Sequence, residues 1–423
     1  MNKIFKVVWN RTIGSFVVTS ELAKGRVKSS SEGAEGDVRA SGEGRLKTLF
    51  RLTALSAALL GFSEGAWAVI PEGSLTGGVL SIGTGTTSAN GAGSMSIGHN
   101  AQAKINGGLA IAPNSTHTTI SNGNNAIAIG VNLRADGTKA IGIGADTTVN
   151  GTGAIAIGNN DSSRMASQGV NGNGAIGVGS NLTARGNNAI AVGTEAQAKE
   201  ISTIAVGANT QATGAEAVAI GKGAQATKKS SIAIGKNTQA AEEASIVIGS
   251  DDNVYGEIKA TSRQGIAIGT GAKATGRNQA VAIGPDATAS GQQSTSIGNN
   301  TRATGDSSIA IGGDDWDIAK ASVNTQYKKL TGSDMSSGYQ GTTAATAAVA
   351  VGVKAQATGA LSTAFGPGTI ASGLGASAFG VGASATQDKS VAIGAGSNTT
   401  INAEKITTAT VNGITYGGFA GTN

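Results

Sequence analysis

An apolar-x-apolar-Gly motif returns along this chain at a spacing too short for any self-sufficient domain. It reads Ile127-Ala128-Ile129-Gly130, Ile141-Gly142-Ile143-Gly144 and Ile155-Ala156-Ile157-Gly158. Further copies end at Gly179, Gly193, Gly207, Gly221, Gly235 and Gly249, then at Gly269, Gly284, Gly298 and Gly312, and finally at Gly352, Gly366, Gly380 and Gly394. From Gly179 to Gly249 every step is 14 residues. Weaker copies end at Gly83, Gly98 and Ala112. Self-similarity at a short fixed period marks a stacked array.

One unit runs from Thr213 to Ala226, the next from Thr227 to Ala240. In each, the large apolar residues sit two apart, as Val218 with Ile220 and Ile232 with Ile234. A period of two places both on one face of a strand and turns the residue between them the other way. A shorter alternation follows, Ala224-Gln225-Ala226 and Thr238-Gln239-Ala240. Gly221 and Gly235 close the first strand, where a bend calls for a residue without Cβ. One unit is therefore two short strands and two corners. It buries its apolar face only by stacking on its neighbours at the strand spacing of ~4.8 Å. The expected fold is all-β, a parallel β-solenoid with a thin core of Ile, Val and Ala. About twenty coils give a rod of roughly 90 Å.

The intervening alanines are Ala128, Ala156, Ala191, Ala205, Ala219, Ala233, Ala267, Ala282 and Ala310. If the large residues fill the coil, these small apolar ones lie on its outer side, where a solvated face would carry Thr, Lys or Asn. The expectation is that they form an interface with sister chains about an axis parallel to the rod. The alternative is a monomeric solenoid that merely tolerates alanine there.

Composition agrees with repeated strands and tight turns. There are 67 glycines in 423 residues, four prolines and no cysteine, roughly twice the usual share of glycine. Without cysteine there are no disulfides, no thiolate catalysis and no Cys-ligated zinc. Residues 1–68 hold ten of the 31 basic and six of the 26 acidic residues, which leaves 21 and 20 for the remainder. That near-balance offers no electrostatic case for nucleic-acid binding. The two histidines, His99 and His117, have no metal-ligand spacing. Asp314, Asp315 and Asp317 lack the nonapeptide pattern of calcium-binding rolls and read as a solvated turn. No phosphate loop or nucleophile–base pair stands out. The expectation is no catalytic residues, no cofactor and no metal. The runner-up, a solenoid enzyme acting on polysaccharide, needs carboxylates aligned on one face of the coil at multiples of 14; Asp146 and Asp286 each follow a motif glycine by two residues but Glu216 follows Gly207 by nine, so the three do not line up.

The leader is legible separately. Leu52–Phe62 is a short apolar run preceded by Arg45, Lys47 and Arg51 and followed by Ala66-Trp67-Ala68. Basic region, apolar core and small-residue site make a secretory signal cut after Ala68. The run is shorter than the ~20 residues that span a bilayer. Upstream, residues 1–28 carry Asn2-Lys3, Lys6-Val7, Trp9-Asn10 and Glu21-Leu22-Ala23. This segment resembles the extended signal peptide region of large autotransporters. The resemblance implies a Gram-negative host, Sec export and type V secretion.

The repeat, with its SVAIG-type motif over residues 74–398, closely resembles the head of YadA-like trimeric autotransporter adhesins. That resemblance implies a left-handed β-roll, an obligate parallel homotrimer and an adhesive role towards host extracellular matrix proteins or cell-surface receptors. It implies the outer surface of the cell, with the membrane reached only through an anchor. The expected organisation is an extended signal peptide region 1–28, a linker and conventional signal peptide 29–68, head repeats 69–312, a head insert 313–343, head repeats 344–398 and a GIN-like connector 399–423. No heptad stalk or strand-rich anchor follows the connector in this sequence, so a fragment of a longer gene product is expected.

The 14-residue beat breaks around Asp161–Asn171 and at Asp251–Tyr255. The largest break lies between Gly312 and Gly352, 40 residues apart. That insert resembles the hairpin-like head inserts of the family. It gathers Trp316, Tyr327, Lys328, Lys329 and Tyr339. Loops on a rigid scaffold often carry recognition, and aromatics are favoured anchors. Two readings stand, a binding site or a flap that packs Trp316 against the rod.

Overall fold

The structure is a computed structural model that describes residues 5–10, 15–20, 78–113, 116–160, 169–250, 256–399 and 408–417. The signal cleavage position Ala68, the break at 161–168, the acidic break at 251–255 and part of the connector lie outside the described residues. The chain divides into two units, Met1–Glu64 and Gly65–Asn423. In the first, Phe5–Asn10 pairs antiparallel with Ser15–Ser20.

The second unit is a parallel solenoid. Each coil contributes a first strand such as Val218–Ile220 and a second such as Gln225–Ala226. First strands form one ladder from Leu80–Ile82 to Val391–Ile393, and second strands a facing ladder from Ser88–Ala89 to Ser384–Ala385. Among the described residues the ladders hold twenty and nineteen strands. Register follows the repeat: Ile204 pairs with Val218, Val218 with Ile232 and Ile232 with Ile246. The breaks loop out without disturbing it. Ile155 pairs with Ile176, Ile246 with Ile266 and, across the long insert, Ile309 with Val349. Backbone amides bond from coil to coil, as Val218 N–H to Ser231 O at 2.9 Å.

The core is alanine. Ala205, Ala219, Ala233, Ala212, Ala226 and Ala240 are fully buried inside the coils. This corrects the orientation expected from the sequence. Ala128, Ala156, Ala191, Ala205, Ala219, Ala233, Ala267, Ala282 and Ala310 all point inward, none more than 2 % exposed. No surface of theirs is left for a sister chain. The physical reason is the thinness of the coil, whose two strands leave methyl-sized space between them. At two coils where a larger side chain enters, the mid-strand alanine becomes glycine. A Cβ on Gly142 would lie 2.6 Å from a methyl of Leu133, and one on Gly177 would lie 2.5 Å from Val170. Serine and threonine complete the core by turning their hydroxyls onto corner carbonyls. Thr210 Oγ1 donates to Gly207 O at 2.9 Å and Ser231 Oγ to Lys228 O at 2.6 Å, which satisfies both buried groups.

The corner glycine is required twice over. Gly221 has φ +124°, and an added Cβ would lie 2.5 Å from the carbonyl oxygen of Gly235 in the next coil. At the C-terminal end, Thr408–Val411 and Ile414–Gly417 form an antiparallel hairpin. It turns on Asn412 and Gly413, both at positive φ, the residue pair suited to a two-residue hairpin turn.

The insert is not hairpin-like. It contains an α-helix, α1, over Asp317–Thr331. Ala319, Val323, Tyr327 and Leu330 recur at helical spacing, and an apolar stripe of that period docks a helix on a surface. Asp317 opens α1, Lys328 and Lys329 lie in its last turn, and Gly332 ends it in the left-handed conformation. Charges of those signs suit the two ends of the helix dipole, and glycine suits that C-terminal position.

Candidate functional site

With alanine inside, the paired large residues face out. Ile143, Ile157, Ile220 and Ile248 remain 37–42 % exposed in a single chain. Parallel in-register pairing lines them up in two columns along most of the first-strand sheet, one through Ile204, Val218, Ile232 and Ile246, the other through Val206, Ile220, Ile234 and Ile248. A contiguous apolar surface of this length marks an interaction face. Near the C-terminal end the pattern changes. The first column passes from Val349 to Thr363 and Ser377, while the second carries Phe365 and Phe379. Those rings lie 6.5 Å apart, centre to centre.

The second-strand face is polar. Gln197, Gln211, Gln225 and Gln239 continue in register into Lys259 and Lys273. Lys259 pairs with Glu257 at 2.8 Å and Lys273 with Asp286 at 3.2 Å. The rod is thus amphipathic across its thickness, one flat face aliphatic and the opposite face hydrogen-bonding.

The insert packs against the corner that follows the first strand. Trp316 is only 6 % exposed. Its indole N–H donates to Ser336 O at 2.6 Å, and its ring meets Tyr327 edge-on at 5.6 Å. The Lys354 ammonium lies 5.1 Å from the centre of the Trp316 ring. It also donates to the carbonyls of Ser336 and Gly338, which holds the returning arm of the insert to the rod. Burial pushes the Tyr327 phenol above its ordinary value of 10.0, opposed by a hydrogen bond with Thr331. Lys328 binds Asp334 at 2.9 Å, and that pairing, helped by Asn324, holds the Asp334 carboxyl below its usual range. Asp314 accepts from Asn299 at 2.6 Å and Asn300 at 3.1 Å, while Asp315 accepts from the Asp317 amide at 2.7 Å. The acidic turn is thereby occupied in ordering the start of α1. Among the described residues no three His, Asp or Glu side chains gather as metal ligands.

Of the five insert residues singled out in the sequence, Trp316 and Tyr327 form the anchor and Lys328 a surface ion pair. Lys329 and Tyr339 face solvent. Sequence reasoning missed three glycines beneath the helix. A Cβ on Gly368 would lie 2.7 Å from Trp316, one on Gly382 2.8 Å from Thr331, and one on Gly396 2.7 Å from Leu330 O. The signal was a run of Gly-x-Gly at 366–368, 380–382 and 394–396, in three consecutive coils just after the insert. Between α1 and the rod lies an apolar cleft of about 280 Å³, whose lining includes Trp316, Val323, Leu330, Val353, Pro367 and Val381.

Two comparisons with known families bear on these surfaces. Residues 1–50 match the Extended Signal Peptide of Type V secretion system. The YadA head domain repeat matches at 89–111, 135–160, 198–224, 226–251, 260–287, 278–301, 289–314, 345–369 and 371–397. These stretches cover coils from near the start of the solenoid to its end and flank the insert on both sides.

Proposed function

Because this chain belongs to the YadA-like trimeric autotransporter adhesins, we propose that it is a non-catalytic binding head which attaches the cell to host extracellular matrix or host cells. Its extended signal peptide and head repeats place it on the Sec route to a Gram-negative cell surface. Heads of this family form trimers. In our reading the first-strand faces of three chains turn to a common axis, because that face alone carries two long aliphatic columns. Burial at ~25 cal/mol per Å² of apolar surface then favours assembly along the full rod. The polar second-strand faces and the solvent-facing Lys329 and Tyr339 stay available to receptors. Three chains of repeated weak contacts bind by avidity. The same faces support contact between cells, and so autoaggregation. The leader is cut after Ala68.

The observation that carries this reading is the outward aliphatic columns opposed to an outward polar ladder. The test is binding of the exported protein, first shown to be trimeric by light scattering, to immobilised matrix proteins and to epithelial cells. Saturable binding that falls when the trimer is dissociated is expected. A verified trimer that binds neither surface overturns the adhesive role.

A further inference from the structure

We propose that Leu361 and Leu374 of one protomer seat in the apolar cleft beneath α1 of the next protomer. The insert would then act as a clamp across the seams of the trimer. This rests on the reading that the first-strand face turns to the axis.

The cleft lies along one edge of the first-strand sheet. Its floor includes Val353, Pro367 and Val381, each the residue after the motif glycine in three successive coils. The opposite edge of those same coils is the turn that leads from the second strand back to the first. There Leu361 is 64 % exposed and Leu374 48 % exposed. Most described turns on that edge carry small or polar side chains, among them Asn124, Thr138, Asn187, Lys229 and Gln292. Ile201 is the one other large apolar side chain so exposed on this edge among the described residues.

Leu361 is also strained. Its φ is +61°, in the left-handed region, where equivalent turns use Asn125, Asn188, Ser230 or Gln293. A bulky residue held there with most of its side chain in solvent buries little within its own chain, and such strain is a mark of function. Its own cleft is out of reach. Leu361 and Pro367 lie in the turns at opposite ends of the strand Thr363–Phe365.

Symmetry brings the two edges together. Flat faces arranged around an axis parallel to the rod pack their outward columns toward that axis and bring their edges side by side. A rotation about that axis joins one edge of each chain to the opposite edge of the next, at equal height. Knob and cleft occupy the same coils, so they meet without any shift along the rod. They lie where the first outward column has lost its aliphatic residues to Thr363 and Ser377. The occupant is thus a second copy of this chain, on a surface continuous with its axial face.

The test places a photo-crosslinking benzoylphenylalanine at position 361 of the exported full chain, with a control at Lys229 on the same edge. Molar mass is measured first. Irradiation is expected to join chains covalently through position 361, with the adduct mapping to residues 316–335 or 353–381 of another chain, and not so through position 229. A trimer without that adduct overturns the clamp and leaves the axial face standing, whereas a monomer overturns both. A second variant, Leu361→Asn, relieves the left-handed strain within its chain. The clamp requires its trimer to dissociate at a lower temperature than the parent, with the β-sheet circular dichroism of the chain unchanged. An equal or higher dissociation temperature contradicts it.

Discussion

At the scale of single residues, the repeat could be read from the sequence but its sidedness could not. A period of two says that Ala219 and its neighbours Val218 and Ile220 face opposite ways, but not which way is in. Size suggested that the larger residues fill the core. The deciding fact is the width of the coil, visible in the sequence only at Gly142 and Gly177, where glycine makes room for Leu133 and Val170. The orientation has a direct consequence. Ala219 is fully buried, so Ala219→Leu forces extra methyls into a methyl-wide core and is expected to cost about 1–3 kcal/mol of chain stability. Ile220→Thr, one residue on, leaves the coil intact and weakens only association between chains. Thermal unfolding compared with molar mass separates the two. If Ala219→Leu leaves chain stability unchanged while it dissociates the trimer, the inward assignment fails.

At the scale of elements, the insert shows what resemblance concealed. A hairpin was expected, yet Ala319, Val323, Tyr327 and Leu330 already spelled a helical stripe that stops at Gly332. The docking surface was harder to see, since the glycines that admit the helix are hidden among others that serve the corners. Their purpose is separable by mutation. Gly382 has φ +65°, a conformation that Asn209 and Asn237 adopt at the equivalent corner of other coils. Gly382→Asn should therefore leave the solenoid folded but push Thr331 and Tyr327 away, releasing α1. In a protein that begins at Val69, Trp316 is the one tryptophan. Its emission should move to longer wavelength as it leaves a site where it is only 6 % exposed. An unshifted spectrum would show that the glycine serves the corner alone.

Docking of α1 should also respond to pH in a definite direction. The Tyr327 phenol is raised above its ordinary 10.0 by burial, so the docked state favours the protonated form. That contribution is complete below the unfolded value and is lost as pH rises through the folded one. Asp334 works oppositely. Its depressed carboxyl, held by Lys328 and Asn324, supports the loop above the ordinary carboxylate value and is lost as pH falls through its folded value. Trp316 emission should accordingly stay constant through neutral pH and shift under alkaline conditions. A tyrosinate titration of Tyr327 with its midpoint below 10.0 would contradict the burial.

At the scale of the whole molecule, each coil touches its neighbours above and below, and in the proposed trimer contacts between chains run at a single height. The rod is then close to a one-dimensional array, in which one unit can be removed if the two cut faces match. Residues 213–226 form such a unit, because Ile204 pairs with Val218 and Val218 with Ile232 in the same register. Deleting them lets Ile204 pair directly with Ile232. All three chains shorten alike, so the axial columns and the seam near Leu361 keep their partners. The expected product is a stable trimer about 4.8 Å shorter, measured by small-angle scattering. Deleting only residues 213–219 should instead break the array, since half a coil sets a first strand against a second strand and exposes alanine faces. Coexpression sharpens the contrast. In a trimer of intact and shortened chains, everything beyond the deletion is displaced by one coil, and Leu361 no longer meets the cleft at its own height. Mixed trimers should be scarce, or dissociate at a lower temperature than either parent. Free mixing with unaltered stability would mean that the chains touch without register, and the columns of isoleucine and valine would then have no role in choosing it.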